Sequence, residues 1–398
     1  MQSQSAWARV APTVFMLAWG GNHFTPLLHL YEELGHYSPW QANLLLGMYV
    51  FGLVPGLLVA AAISDRYGRR SVVVAGLLTS VIGSVLIACG LEIFTLLCIG
   101  RTLAGVGVGV AMSVGTSWIK ELSAPAFDPQ APVGAGAKRP SLTLTLGFGL
   151  GAGVTGALAQ WGPAPTQLPY VIHIGLSLAT LPFLLRTPET VTDGMRATGH
   201  WWLDLRVAAA GHRQFLRLVV PAAPWVFAAA GVAYAIMPAV TASAMGEWTT
   251  AYATALTVIT LGSGALVQPF VARLNLRTGG RALPIGLTLM ALGMGSAVVA
   301  AWLQVPAFVP VVSVILGAAY GITVVAGLTH VQAIATATDL AGLTGVYYSL
   351  TYSGFLLPAI LAALLPASPY AASLSVVTLV CLMCLVVVTM GMRNLKRT

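Results

Sequence analysis

Asp65-Arg66-Tyr67-Gly68-Arg69-Arg70 lies between two long apolar runs, and its reading decides the fold. Upstream, Trp40 to Ile63 is hydrophobic apart from Gln41 and Asn43; downstream, Val72 to Leu91 contains no charge. Either run is long enough to cross a hydrocarbon core of about 30 Å as a helix. A charge-dense turn with Gly at its bend, set between two such helices, sits on a membrane surface and holds two helix ends together.

Composition points the same way. The chain of 398 residues is 57% hydrophobic and 8% charged, with a mean hydropathy of +0.85. A soluble domain carries about a quarter charged residues, so this surface is expected to face lipid. The net charge of +8 would suit nucleic acid if it were gathered on one soluble face, but the basic residues lie between apolar runs and read as topology signals. The first run, Val10 to Leu30, is too long for a signal sequence and no small-residue cleavage site follows it. There is no Walker loop with its Lys, so ATP is not expected to drive the protein. No His, Cys or carboxylate cluster has metal spacing, and the glycine-rich stretches follow apolar helices rather than strands. No metal, no cofactor and no enzymatic activity are expected. Cys381 and Cys384 form a C-x-x-C inside an apolar run, which reads as packing rather than redox chemistry.

Uninterrupted apolar stretches give twelve spans. The first six are Val10–Leu30, Trp40–Ile63, Val72–Leu91, Phe94–Trp118, Leu142–Trp161 and Tyr170–Leu185. The second six are Leu218–Pro238, Thr249–Val271, Leu283–Leu303, Phe308–Val331, Leu340–Leu365 and Ala371–Met392. Every Lys and Arg except Arg101 falls on one face, whereas Glu32, Glu33, Glu92 and Glu247 fall on the other, so both termini are expected to be cytoplasmic. Trp40, Trp161, Trp248 and Trp302 fall near outer helix ends, as an aromatic belt does. The polar segment 187–217 separates an N-terminal six-helix bundle (1–186) from a C-terminal one (218–398). A weak repeat supports that division: Arg66-Tyr67-Gly68-Arg69-Arg70 returns as Arg277-Thr278-Gly279-Gly280-Arg281, with Leu276 in place of Asp65. His200 to Arg206 reads as a segment lying along the membrane surface, and the Pro-, Ala- and Gly-rich stretch 123–140 as a mobile loop.

The 65–70 hexapeptide resembles the loop between the second and third helices of the major facilitator superfamily, Gly-x-x-x-Asp-Arg-x-Gly-Arg-Arg, with Ala61 replacing the first Gly. The resemblance implies an all-α integral membrane fold of twelve helices in two six-helix bundles, similar to bacterial drug and metabolite proton antiporters of the inner membrane. It further implies a gating charge cluster of Asp65, Arg66, Arg69 and Arg70, around the bend at Gly68, with Glu121 at the inner end of the fourth span. Such a cluster holds the halves together while a transporter of this kind faces outward. Asp65 favours this reading over bare topology signalling, which needs no acid.

Arg101 opens a stretch with Gly105, Gly107 and Gly109 that resembles the superfamily's fourth-helix pattern. Counting from Phe94 places it about 10 Å below the outer surface, where an Arg costs about 2.5–3.5 kcal/mol and is expected to face a cavity or a partner. The fifth span offers Gly147, Gly149, Gly151 and Gly153, whose small-x-x-x-small pairs permit close helix approach. In superfamily exporters a glycine-rich fifth helix also contains Gly-Pro; here Ala152 or Val154 stands where Pro would be. The glycines favour export modestly, and plain packing explains them equally.

In the first span, Gly20, Gly21 and Pro26 predict an irregular helix around Asn22 and His23. Since first, fourth, seventh and tenth helices line the cavity in this superfamily, Asn22, His23 and Arg101 are candidates for the substrate and proton pathway. His29, Glu32 and Glu33 join them as proton carriers, because no Asp or Glu lies mid-membrane in any of the twelve spans. Trp225, Tyr234, Tyr320, Tyr347, Tyr348 and Tyr352 supply aromatic surface in the second half, Tyr234 and Tyr320 being the pathway candidates. The expected function is export of a small organic molecule in exchange for protons. An importer is the alternative, and a non-transporting membrane sensor the alternative of another class. The partners expected are a small-molecule substrate, protons and the lipid bilayer, with no nucleic acid, and a monomer is the expected working state.

Overall fold

A computed structural model describes residues 6–192, 200–201, 207–336 and 340–395. Among these residues the fold is entirely helical, with no strand. Helical segments occupy all twelve sequence-derived spans, and ten helices are long and apolar enough to cross a membrane. Two differences explain the count. The first span is interrupted, and residues 215–277 run as one helical stretch covering the seventh and eighth spans. Trp202 to Arg206 of the expected surface segment, and Arg196, Lys396 and Arg397, lie outside the described residues.

The chain forms two compact units, one of Met1–Leu27 with Met48–Arg206, the other of Leu28–Gly47 with Val207–Thr398. The chain opens with α1 (Trp7–Asn22), α2 (Leu28–Leu34), α3 (Pro39–Tyr67) and α4 (Arg69–Cys89). Then follow α5 (Phe94–Val110), α6 (Thr116–Leu122), α7 (Ala135–Trp161) and α8 (Leu168–Leu185). Pro26, which has no N–H to give, sits in a 3₁₀ turn (Thr25–Leu27) that follows α1 before the helix resumes as α2. A π-turn, Ala111–Gly115, joins α5 to α6. One core of this unit is built around Val14, Leu17, Val73, Leu77, Val110 and Trp118, all buried.

The second unit contains α9 (Val220–Ala222), α10 (Trp225–Gly231), α11 (Met237–Met245), α12 (Thr249–Val267) and α13 (Val271–Arg277). After these come α14 (Ala282–Leu303), α15 (Val309–Ile334), α16 (Leu340–Ser353), α17 (Leu356–Leu364) and α18 (Tyr370–Leu395). π-turns at Phe215–Val219 and Val232–Ile236 adjoin α9 and α11. Its core draws heavily on α14 and α15, with Leu287, Met290, Met294, Val312 and Leu316 fully buried.

Two local expectations are corrected. Asp65, Arg66 and Tyr67 are not loop residues: α3 continues to Tyr67, and only Gly68 breaks the chain before α4. The cause is that a helix end reaching water keeps its backbone bonds while its side chains become polar. Similarly, the stretch 123–140 is not a loop throughout: α7 begins at Ala135, and its Arg139 pairs with Asp128 at 2.7 Å. Arg139 also lies 4.3 Å over the Trp7 ring. Trp40, Trp161, Trp248 and Trp302 are all exposed, each at or near a helix end.

Candidate functional site

The charge cluster is assembled within the first unit at the junction of α3, α4 and α6. Asp65 and Arg69 are four residues apart, and their side chains meet across the bend at 2.6 Å. Arg69 reaches Glu121, near the end of α6, at 3.0 Å, and also donates to Ser64 Oγ. Its guanidinium is thus divided between two carboxylates and a hydroxyl, a forked geometry that Arg fills and Lys does not. Arg66 instead turns back to donate to the Ala62 carbonyl at 2.8 Å, and Arg70 donates to the Leu185 carbonyl at 3.3 Å.

Two members of this cluster were not singled out from the sequence. Glu189 accepts the backbone N–H groups of Arg69 and Arg70 at 2.9 and 3.0 Å, and Thr190 Oγ1 donates to Glu121. Glu189 therefore caps α4 and places an anion on the helix's positive end. Burial alone would raise its carboxyl, but the N–H donors of Arg70, Arg69, Val191 and Thr190 outweigh that and hold it below the ordinary carboxylate value. Gly68, at φ 91°, has a backbone that suits glycine, and a Cβ there would come 2.6 Å from Glu189 Oε2. Trp118 Nε1 ties down the same segment by donating to the Pro188 carbonyl at 3.2 Å.

A second polar cluster lies deep in the first unit. Arg101, on α5, is fully buried, its guanidinium carbon 4.5 Å from the Phe24 ring centre and 5.0 Å from that of Tyr49. This double cation–π contact compensates part of the cost of a cation at depth. His23, just past α1, is also fully buried, edge-on to Tyr170 at 4.6 Å and to His173 at 4.9 Å. Neither of its ring nitrogens has a hydrogen-bond partner among the described residues. His173 is satisfied by contrast, with Ser84 Oγ and the Met16 carbonyl each at 2.9 Å. Asn22 donates to the Phe148 carbonyl at 3.4 Å.

His29, Glu32 and Glu33 form a group of their own in the second unit. His29 lies 4.0 Å from Glu32 and 3.9 Å from Glu33. Glu32 lies beyond the C-terminal end of the first span, and burial pushes it up to about 7. Aromatic residues of the second unit gather on Phe227, which sequence reading passed over. Its ring stacks on Tyr352 at 4.1 Å and on Phe355 at 4.8 Å, with Tyr320 at 5.9 Å, while Tyr234 is 6.3 Å from Phe355. Tyr347 points elsewhere and donates to the Val324 carbonyl at 2.7 Å.

The glycines mark close helix approaches. A Cβ at Gly105 would lie 2.0 Å from the Tyr49 carbonyl oxygen, and one at Gly109 2.5 Å from Leu57 N, so both seat α5 on α3. Gly107 faces Ser80 of α4. Gly147 and Gly151 bring α7 within 2.6–2.7 Å (Cβ) of backbone atoms of Phe15 and Trp19 in α1. Gly149 corrects the expectation for its pair with Gly153, since a Cβ there meets nothing within 4 Å. That position faces away from α1, because residues two apart on a helix do not share a face.

Residues 10–200 match the model of the Major Facilitator Superfamily. An arabinose-proton symporter of Bacillus subtilis is 30% identical over 96 residues, which is 24% of this chain and 20% of that protein. The 3-(3-hydroxy-phenyl)propionate transporter of Escherichia coli is 29% identical over 150 residues, 35% of this chain and 33% of that one. The chain thus spans between a fifth and a third of the length of these curated relatives. The crystal structure of a point mutant of the nucleoside transporter NupG is similar in fold, with a TM-score of 0.77, 11% identity, and coverage of 97% of this chain and 99% of that one.

Proposed function

We propose that this chain, a multi-pass membrane protein belonging to the Major Facilitator Superfamily, is a secondary transporter that carries a small neutral or anionic organic solute together with protons. The observation that carries this reading is the buried pair of Arg101 and His23 in a protein with no carboxylate in the middle of any apolar span. A fixed cation at depth favours a solute with acidic or carbonyl oxygens. A histidine with both ring nitrogens unpartnered can hold a proton or a solute hydroxyl. The Asp65–Arg69–Glu121 network, capped by Glu189, acts as the inner latch whose release accompanies the change of facing.

Uptake by symport is the direction we favour. Export rested on the glycine-rich fifth helix, and Gly147 and Gly151 are accounted for by their contacts with α1. The similar proteins of known name include a proton symporter. Purified protein in proteoliposomes, with arabinose and 3-(3-hydroxyphenyl)propionate as first labelled solutes, tests the reading. An inward acid-outside gradient should drive accumulation that a protonophore abolishes. Accumulation only under the opposite gradient would establish export, and absence of flux with retained ligand binding would establish a sensor.

A further inference from the structure

In the second unit, α14 and α18 pack together and leave a surface groove of about 360 Å³. Its mouth carries Arg281, the residue before α14, and Arg393, in the last turn of α18. Both side chains are exposed and neither forms an ion pair among the described residues. Arg281 also stands at the positive end of a 22-residue helix, which adds to the field at the mouth. Beyond the mouth the walls are Ile285, Pro284, Leu385 and Met392. The two hydroxyls present do not change that character: Thr288 donates to the Pro284 carbonyl at 2.9 Å and Thr389 to the Leu385 carbonyl at 2.7 Å. Polar recognition is therefore confined to one end. Further along α14, Leu292 is 60% exposed and lies seven residues beyond Ile285, on the same helix face.

We propose that this groove is a binding site for an anionic phospholipid, its phosphodiester held between Arg281 and Arg393 and one acyl chain lying along Ile285 and Leu385. Guanidinium–phosphate pairing is strong and directional, and basic pockets between membrane helices suit anionic headgroups. The apolar length matters as much as the charge. From Arg281 to Thr288 the wall runs about 10 Å, which a free phosphate leaves uncovered and an acyl chain fills. A second copy of this chain is a poor occupant, because two-fold packing of this face would bring like arginines to the same level.

Native mass spectrometry of the protein released from nanodiscs of phosphatidylcholine containing a minor fraction of phosphatidylglycerol tests this. Wild-type protein should retain phosphatidylglycerol selectively. Arg281→Gln should weaken retention about fivefold, and Arg281→Gln with Arg393→Gln about thirtyfold. Thr389→Trp, which fills the groove and leaves both arginines, should also release the lipid. An unchanged melting temperature of the double variant in phosphatidylcholine alone would show that it is folded. Equal retention by wild type and the double variant would overturn the site. So would unchanged retention by Thr389→Trp, which would reduce the effect to general surface charge, or displacement of the lipid by inorganic phosphate.

Discussion

Asp65 and Glu121 are the two carboxylates on Arg69, and each can be removed separately. Asp65→Asn leaves Arg69 its 3.0 Å bond to Glu121, so the latch should weaken rather than vanish. Exposed pairs contribute about 0–1 kcal/mol each, enough to change the ratio of inward- to outward-facing states about fivefold. Cysteine accessibility at both mouths should report that shift with membrane insertion intact; an unchanged ratio would remove the latch role. Glu189 offers a test by pH. Its carboxyl is held below the ordinary value by four N–H donors that outweigh burial, so it binds fewer protons folded than unfolded. Its stabilisation is present above the ordinary carboxylate value and is lost as pH falls through the depressed one. Thermal melts of wild type and Glu189→Gln should therefore differ at neutral pH and converge in acid. Parallel curves across that range would exclude the cap. The pair Asp65–Arg69 was legible in the sequence because four-residue spacing is local. Glu189 was not, being 120 residues from Arg69 within a polar stretch that carries no periodic signal.

At the scale of the helix, depth and spacing were readable, but which face meets which neighbour was not. The run of glycines in the fifth span looked uniform, yet Gly147 and Gly151 approach α1 while Gly149 between them does not. Gly149→Ala has open space and a helical backbone, so it should stabilise by about 0.5–1 kcal/mol. Gly105→Ala, whose Cβ would lie 2.0 Å from a carbonyl oxygen of α3, should destabilise by about 1–3 kcal/mol or more. Unfolding in detergent monitored by tryptophan fluorescence would rank the two; similar midpoints would refute the packing account. The break after α1 was legible from Pro26, whereas Phe227 was hidden among many equally apolar neighbours. Glu32, pushed up to about 7 by burial, is mostly protonated below that pH and ionised above it. It faces His29 at 4.0 Å. If it carries the coupling proton, Glu32→Gln should flatten the pH dependence of transport around neutrality while solute binding persists. A flat profile in His23→Gln with a normal one in Glu32→Gln would assign the carrier to His23.

For the molecule as a whole, the balance of charge within the apolar spans sets what can be carried. The twelve spans contain no Asp or Glu at depth, and their one ionised side chain is Arg101. A cationic solute in a low-dielectric cavity needs a carboxylate, because an unpaired buried charge costs several kcal/mol. On the proposed reading, a carboxylated solute would instead be paired by the buried Arg101 guanidinium, which is flanked by Phe24 and Tyr49. Flux in proteoliposomes should therefore favour anionic over neutral solutes of equal size, and neutral over cationic ones. Arg101→Gln should reduce anion flux by about tenfold or more, in line with about 1.5–3 kcal/mol for a charged hydrogen bond, and reduce neutral flux less. Glu32 and Glu33 are the acids that a cation would need, so Glu32→Gln with Glu33→Gln serves as the opposing arm. Transport of a permanently cationic dye that survives Arg101→Gln and fails in the double Glu variant would place recognition at Glu32 and Glu33, beyond the C-terminal end of the first span, rather than at Arg101.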